Sequence, residues 1–248
     1  MAEIQGVFKR IEKKYLLDKT QYQTLNDSLQ KYMQADSYGK HTICNIYYDT
    51  PDYQLIRASL DKPVYKEKLR LRSYGIPTAD STVFIELKKK FKGIVYKRRV
   101  PLTLSHATHY LSGGKLSQSC QILQEIDWFM KFYNPQPAAF IGYDRIALFG
   151  TENPDLRVTF DTAIRWRDTS LNLSAGDSGR LLLPKDVYLM EIKIPGAMPI
   201  WMSHMLDEME IFPSSFSKYG YCYTHNLARG VSTGDTNSFI LPKKYKVG

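Results

Sequence analysis

Apolar and polar residues alternate strictly in several segments of the chain, and in each of them the polar side is charged. In "VYKEKLRLRSYG" (64–75), Lys66, Lys68, Arg70 and Arg72 occupy every second position. Side chains at i, i+2 and i+4 of a β-strand share a face, so the segment predicts a strand with a column of cations. The same period predicts strands elsewhere. "RIEKKY" puts Arg10, Glu12 and Lys14 opposite Ile11 and Tyr15, and "VFIELKKK" puts Glu86, Lys88 and Lys90 opposite Val83, Ile85 and Leu87. "GYDRIAL" places Tyr143 with Arg145, "LRVTFDT" places Arg157 with Thr159 and Asp161, and "LMEIKI" places Glu191 with Lys193.

Other segments carry a helical period. "DKTQYQTLNDSLQKYMQAD" (18–36) predicts an amphipathic helix capped by Asp18. "PDYQLIRASLD" (51–61) predicts a short helix opened by Pro51, and residues 104–133 and 198–212 carry further helical signals. "HTICNIYYDT" (41–50) reads as a strand, and 81–93 with 94–102 as a hairpin turning near Gly93. Residues 166–184 read as a polar loop with one short strand at most, and the end of the chain as a poorly ordered tail. With no internal repeat and no Pro/Gly/Ser linker, the expectation is one domain over 1–228 and a tail over 229–248.

Composition narrows the partner. The chain has 248 residues, 43% hydrophobic and 24% charged, as a globular protein should. Its net charge of +9 points to an anion: nucleic acid, anionic lipid or a polyphosphate compound. Cys44, Cys120 and Cys222 form no CxxC pair, which argues against a disulfide framework or structural zinc. No signal peptide and no run of about 18 apolar residues is present, so a cytoplasmic location is expected.

An ordinary outward sheet face mixes both signs of charge with Ser, Thr and Gln; here Lys and Arg far outnumber acids. The alternative is a sheet curled so that its charged faces look inward, as in an eight-stranded barrel, with helices covering the apolar outside. Unpaired cations are too costly to bury dry, so such an interior must be wet and hold a polyanion. Phosphate chains fit that requirement. Glu12, Glu86 and Glu191 are then candidate ligands for Mg²⁺ or Mn²⁺ bridging phosphate oxygens. A nucleic-acid surface would interleave aromatic and exposed basic residues; strict alternation favours an enclosed site, and no nucleic acid is expected.

In this order, "RIEKKY", "EKLRLRSYG", "VFIELKKK", "YDRIAL", "LRVTFDT", "MEIKIP" and "FSKYGY" resemble the catalytic domain of the VTC (vacuolar transporter chaperone) polyphosphate polymerases. These belong to the triphosphate tunnel metalloenzymes, relatives of the CYTH phosphatases, and the resemblance covers about residues 7–226. It implies an α+β fold: a closed antiparallel eight-stranded β-barrel, helices packed outside, with a tunnel for a triphosphate and a metal ion. Carried over by motif, Lys14, Arg70, Arg72, Lys88, Arg145 and Arg157 become the catalytic cations. Lys97, Lys193 and Lys218 become further phosphate ligands, Glu191 becomes the metal carboxylate, and Arg57 is a further match. Lys66, Lys68 and Lys90, which share their faces by alternation, are expected to bind phosphate as well.

Two positions depart from the wider pattern. Arg10 stands where the superfamily's ExExK begins, as in the VTC branch, which favours polymerase over triphosphatase. Ser215 stands where some VTC enzymes carry another Lys. No SPX regulatory segment precedes the barrel and no membrane span follows it, so neither sensor nor translocation path is expected within the chain. The expected activity is metal-dependent transfer of the γ-phosphate of ATP, or of another triphosphate, to a growing polyphosphate chain. The alternatives are a CYTH-type triphosphatase and a non-catalytic polyphosphate binder.

Overall fold

The structure is a computed structural model that describes residues 11–92, 94–194 and 196–230. Arg10, the turn residue Gly93 and most of the expected tail (231–248) lie outside the described residues. Ten strands form one sheet: β1 (Ile11–Leu17), β2 (Met33–Ala35), β3 (His41–Asp49), β4 (Tyr65–Tyr74) and β5 (Thr82–Phe91), then β6 (Ile94–Thr103), β7 (Gln136–Gly150), β8 (Arg157–Arg167), β9 (Arg180–Leu181) and β10 (Tyr188–Ile194). The long strands pair antiparallel in the order β1-β10-β8-β7-β3-β4-β5-β6, with β2 beside β7 and β9 beside β8. Among the described residues six α-helices accompany them: α1 (Lys19–Leu29), α2 (Gln54–Leu60), α3 (Leu104–Leu111), α4 (Gln121–Tyr133), α5 (Ile200–Glu208) and α6 (Lys218–His225).

The closed eight-stranded barrel is not formed. β1 and β6 end the strand order and do not pair with one another, so the sheet is curled but open. The β1 edge is met instead by the segment after α5, where the Ser214 backbone N–H donates to the Lys14 carbonyl at 2.7 Å. β6 carries Pro101 and the cations Lys97, Arg98 and Arg99, residue types that discourage pairing at a free edge.

The apolar faces find their expected cover. Leu69, Leu71, Ile85 and Leu87 pack under α3 and α4 with Leu104, Ile126 and Phe129. Tyr15, Val158, Phe160, Met190 and Ile192 pack with Leu25, Leu29, Met202 and Leu206 of α1 and α5. A third cluster departs from the expectation that all helices lie outside. Phe216, Tyr219 and Cys222 pack with Tyr47, Ile141, Tyr143 and Leu189, so α6 lies against the charged, concave side of the sheet.

Local chemistry sets the helix ends. Asp18 caps α1 reciprocally with Gln21, as the sequence predicts. The helix stops at Leu29, short of the predicted 36, because Met33–Ala35 pairs with β7 as β2. Pro51 does not open α2. Its N-cap is Tyr53, in the left-handed region at φ 59, and Asp49 instead accepts from the backbone N–H groups of Leu55 (2.9 Å) and Ile56 (3.0 Å). Asp49 also accepts from the Tyr219 hydroxyl at 2.9 Å, which ties α6 to the start of α2.

Candidate triphosphate site

Strand register builds the site. Lys66 stands opposite Lys90, Lys68 opposite Lys88, Arg70 opposite Glu86, and on the next strand Lys97 is opposite Lys88 and Arg99 opposite Glu86. Across the sheet Lys14 is opposite Glu191, Glu12 opposite Lys193, and Lys193 opposite Arg157. Between Gly142 and Asp144 a bulge shifts the β7–β8 register, with Ala163 at φ 47 on the bulged strand. The shift leaves Arg145 opposite Asp161.

Glu86 organises one group of cations. Arg70 donates to its Oε2 through Nε (2.8 Å) and Nη2 (2.6 Å). Lys97 lies 3.2 Å and Arg99 3.6 Å from Oε1, and Arg72 lies 3.8 Å from Oε2. Arg72 is fixed further by Asn45 Oδ1 (2.8 Å) and the Tyr143 hydroxyl (3.1 Å), and Arg70 by the Tyr47 hydroxyl (3.2 Å). Burial alone would raise the Glu86 pKa, but Arg70, Arg72 and Lys97 bring it down to about 2. With so many donors about one buried carboxylate, its oxygens orient guanidinium groups.

Asp161 and Glu191 organise the second group. Arg145 grips Asp161 with both Nε (2.6 Å) and Nη2 (2.8 Å), and Lys218 of α6 donates to Asp161 Oδ2 at 2.5 Å. Glu191 faces Lys14 at 3.2 Å, Lys218 at 3.5 Å and Arg145 at 3.6 Å, while Glu12 lies 3.7 Å from Lys14. Both buried carboxylates are held ionised against the effect of burial, each with Lys218 as its strongest cation.

The remaining lysines are under-neutralised. Among the described residues, Lys68 Nζ donates to Ser217 Oγ (3.3 Å) and Lys66 Nζ to the Ser59 carbonyl (2.9 Å), neither of them a carboxylate. Burial, then Lys66, Lys88 and Lys14, push the Lys68 pKa down to about 7. Lys66, Lys88, Lys97 and Lys193 are all lowered, chiefly by burial. Like charges directly opposite on a sheet are destabilising, and here Lys68, Lys88 and Lys97 form such a row over three strands. Lys88 also feels Glu12, Lys14 and Glu191 from the far end of the strand order, so the curl brings the two charged margins face to face.

The concave face thus gathers the nominated cations of the strands and Lys218 of α6, with Arg157 exposed at its rim. Arg57 is elsewhere, paired with Asp52 at 2.6 Å on the exposed side of α2. Sequence reasoning did not single out Asn45, Tyr47 or Asp161 for a role. β3 is buried on both sides, which hides the period; Asp161 was visible as an inward residue, but not its clamp by Arg145 and Lys218. Among the described residues no group of three His, Cys, Asp or Glu side chains surrounds a potential ion. The fit to a divalent cation is narrower. Thr159 stands opposite Glu191, and its buried hydroxyl has no hydrogen-bond partner. One carboxylate and one hydroxyl suit Mg²⁺ or Mn²⁺, which keeps several waters and takes other ligands from phosphates.

The VTC domain model matches residues 9–225. The chain belongs to the VTC domain family. No curated protein matches this VTC domain in sequence. Two solved structures resemble its fold. A candidate adenylate cyclase from Bacillus halodurans is 15% identical, with a TM-score of 0.53 over 84% of this chain and 93% of that one. A candidate adenylyl cyclase from Hippeastrum, described as having a dominant triphosphatase activity, is 16% identical, with a TM-score of 0.51 over 87% and 96%. No helix among the described residues of the VTC domain is long and apolar enough to cross a membrane.

Proposed function

We propose that this VTC domain is a metal-dependent phosphotransferase that builds polyphosphate from a nucleoside triphosphate. The observation that carries the reading is the row Lys68–Lys88–Lys97, like charges held opposite one another on a concave face. A phosphate chain laid along that row relieves the repulsion and shifts the lowered lysine pKa values back up. Arg70 and Arg72, oriented by Glu86, Asn45 and the Tyr47 and Tyr143 hydroxyls, clamp the phosphates in bidentate fashion. Lys14, Arg145 and Lys193 surround Glu191.

Glu191 and Thr159 would hold the divalent ion, which supplies charge neutralisation at the phosphate oxygens. Among the carboxylates, Glu86 acts as a positioning residue, and Glu12 steadies Lys14 beside Glu191. A terminal phosphate oxygen of the acceptor chain attacks the γ-phosphorus in line. The bond from that phosphorus to the β–γ bridging oxygen breaks, and the nucleoside diphosphate leaves with the electron pair. Positioning and electrostatics supply most of the acceleration, so no side-chain nucleophile is needed.

A second reading is hydrolysis, with water replacing the acceptor chain. The placement of α6 on the concave face favours it, because Phe216 and Tyr219 fill part of the space a long chain would thread. The Hippeastrum neighbour's described triphosphatase activity agrees with that reading. Incubation with ATP and Mn²⁺ separates them. Long phosphate chains with ADP support the polymerase, orthophosphate without chains supports the hydrolase, and no turnover overturns both.

A further inference from the structure

Beyond the end of β3, β7 and β8 continue side by side, and Phe149 stands opposite Arg157. With Tyr38, Asp36 and Pro154 these residues line a cavity of about 610 Å³, a size suited to a small organic molecule. Tyr38 is 78% exposed. Its backbone N–H donates to Asp36 Oδ1 at 3.1 Å, and its ring lies 6.2 Å from that of His41, so the loop is braced although the ring is open to solvent. Arg157 stands opposite Lys193, and Lys193 interacts with Arg145 and Glu191. The cavity therefore adjoins the cationic face at the margin where the second group of charges begins.

A bare phosphate chain would use only Arg157 of this lining. The two aromatic rings offer apolar faces and the carboxylate accepts hydrogen bonds, which suits the other half of a nucleotide. We propose that this cavity is the nucleoside subsite, in which the base stacks on Tyr38 and Phe149 and Asp36 accepts from base or ribose donors. Arg157 then meets the first phosphate and Lys193 the next. The inference rests on the triphosphate reading above and adds to it a selection of nucleoside triphosphates over bare phosphate chains, made by residues that alternation does not mark.

Titration calorimetry on the intact chain in EDTA, with ATP and with inorganic tripolyphosphate, tests it. Tyr38→Ala and Phe149→Ala each weaken ATP by about 10-fold, the size of one lost base–aromatic stack, and tripolyphosphate by no more than about twofold. Tyr38→Phe keeps the wild-type ATP affinity. An equal loss for both ligands, no loss for ATP, or tripolyphosphate binding without ATP binding overturns the nucleoside subsite and leaves the triphosphate reading standing. If neither ligand binds the wild-type chain, both fall.

Discussion

At the residue scale, Lys88 and Lys68 separate function from stability. Lys88 lies on the concave face, open to solvent at the surface of the strand yet shielded by the facing margin, and stands between Lys68 and Lys97. Lys88→Met removes a repulsive cross-strand pair, so the empty protein gains about 0.5 kcal/mol, while triphosphate affinity falls about 10-fold. Parallel thermal melts and titrations check the opposed signs; a fall in both quantities would refute the repulsive row. Lys68 has a folded pKa lowered to about 7 from 10.5. Between those values the unfolded chain holds more protons, so this group makes the empty protein more stable as pH rises from 7 to 9. Below about 7 the charge is present in both states and its full penalty is felt. Polyanion binding above pH 7 should accordingly take up a proton, read as a binding enthalpy that changes with buffer ionisation enthalpy. The alternation in residues 64–75 made this lysine column legible, since period 2 fixes which side chains share a face. Asn45 and Tyr47 were not, because β3 is buried on both sides and its register with Arg70 and Arg72 is a tertiary fact.

At the scale of elements, α6 is the piece the sequence concealed. "KYGYCYTH" combines Gly220 with aromatic and β-branched residues of modest helix propensity; an N-cap from Ser217 and packing with Tyr47, Leu189 and Ile141 make it a helix. It is held at two points. Tyr219→Phe deletes the hydrogen bond to buried Asp49 and should cost about 1.5–3 kcal/mol, lowering Tm by roughly 3–12 °C in a chain of this size. Lys218→Met leaves fully buried Asp161 with Arg145 as its one close cation and takes from Glu191 its strongest counter-charge. Its cost of about 3–5 kcal/mol should be accompanied by loss of turnover. A Lys218→Met protein with wild-type Tm and rate would show that α6 does not hold the Asp161–Glu191 pair. The charged strands were the easier elements to read, because their alternation runs long enough to fix an inward face; α1 was overread because its period runs on into β2.

At the scale of the whole molecule, ligand and fold are linked. A polyanion that binds only the folded chain stabilises it by about 2.7 kcal/mol at a hundredfold excess over Kd. Tripolyphosphate should therefore raise Tm by several degrees, and less so at high ionic strength, where charge attraction is screened; a Tm insensitive to tripolyphosphate would deny the site. The inward charge of the sheet was legible strand by strand, whereas closure was not, since it depends on what meets the margins of β1 and β6. At β1 a backbone bond from Ser214 answers that question. With no ladder sealing the two margins, the cleft resembles a cupped hand more than a pipe. If the proposed polymerase activity holds, a growing polymer need not be fed through end to end: it can slip out along the open margin, so cleft depth sets no ceiling on product size.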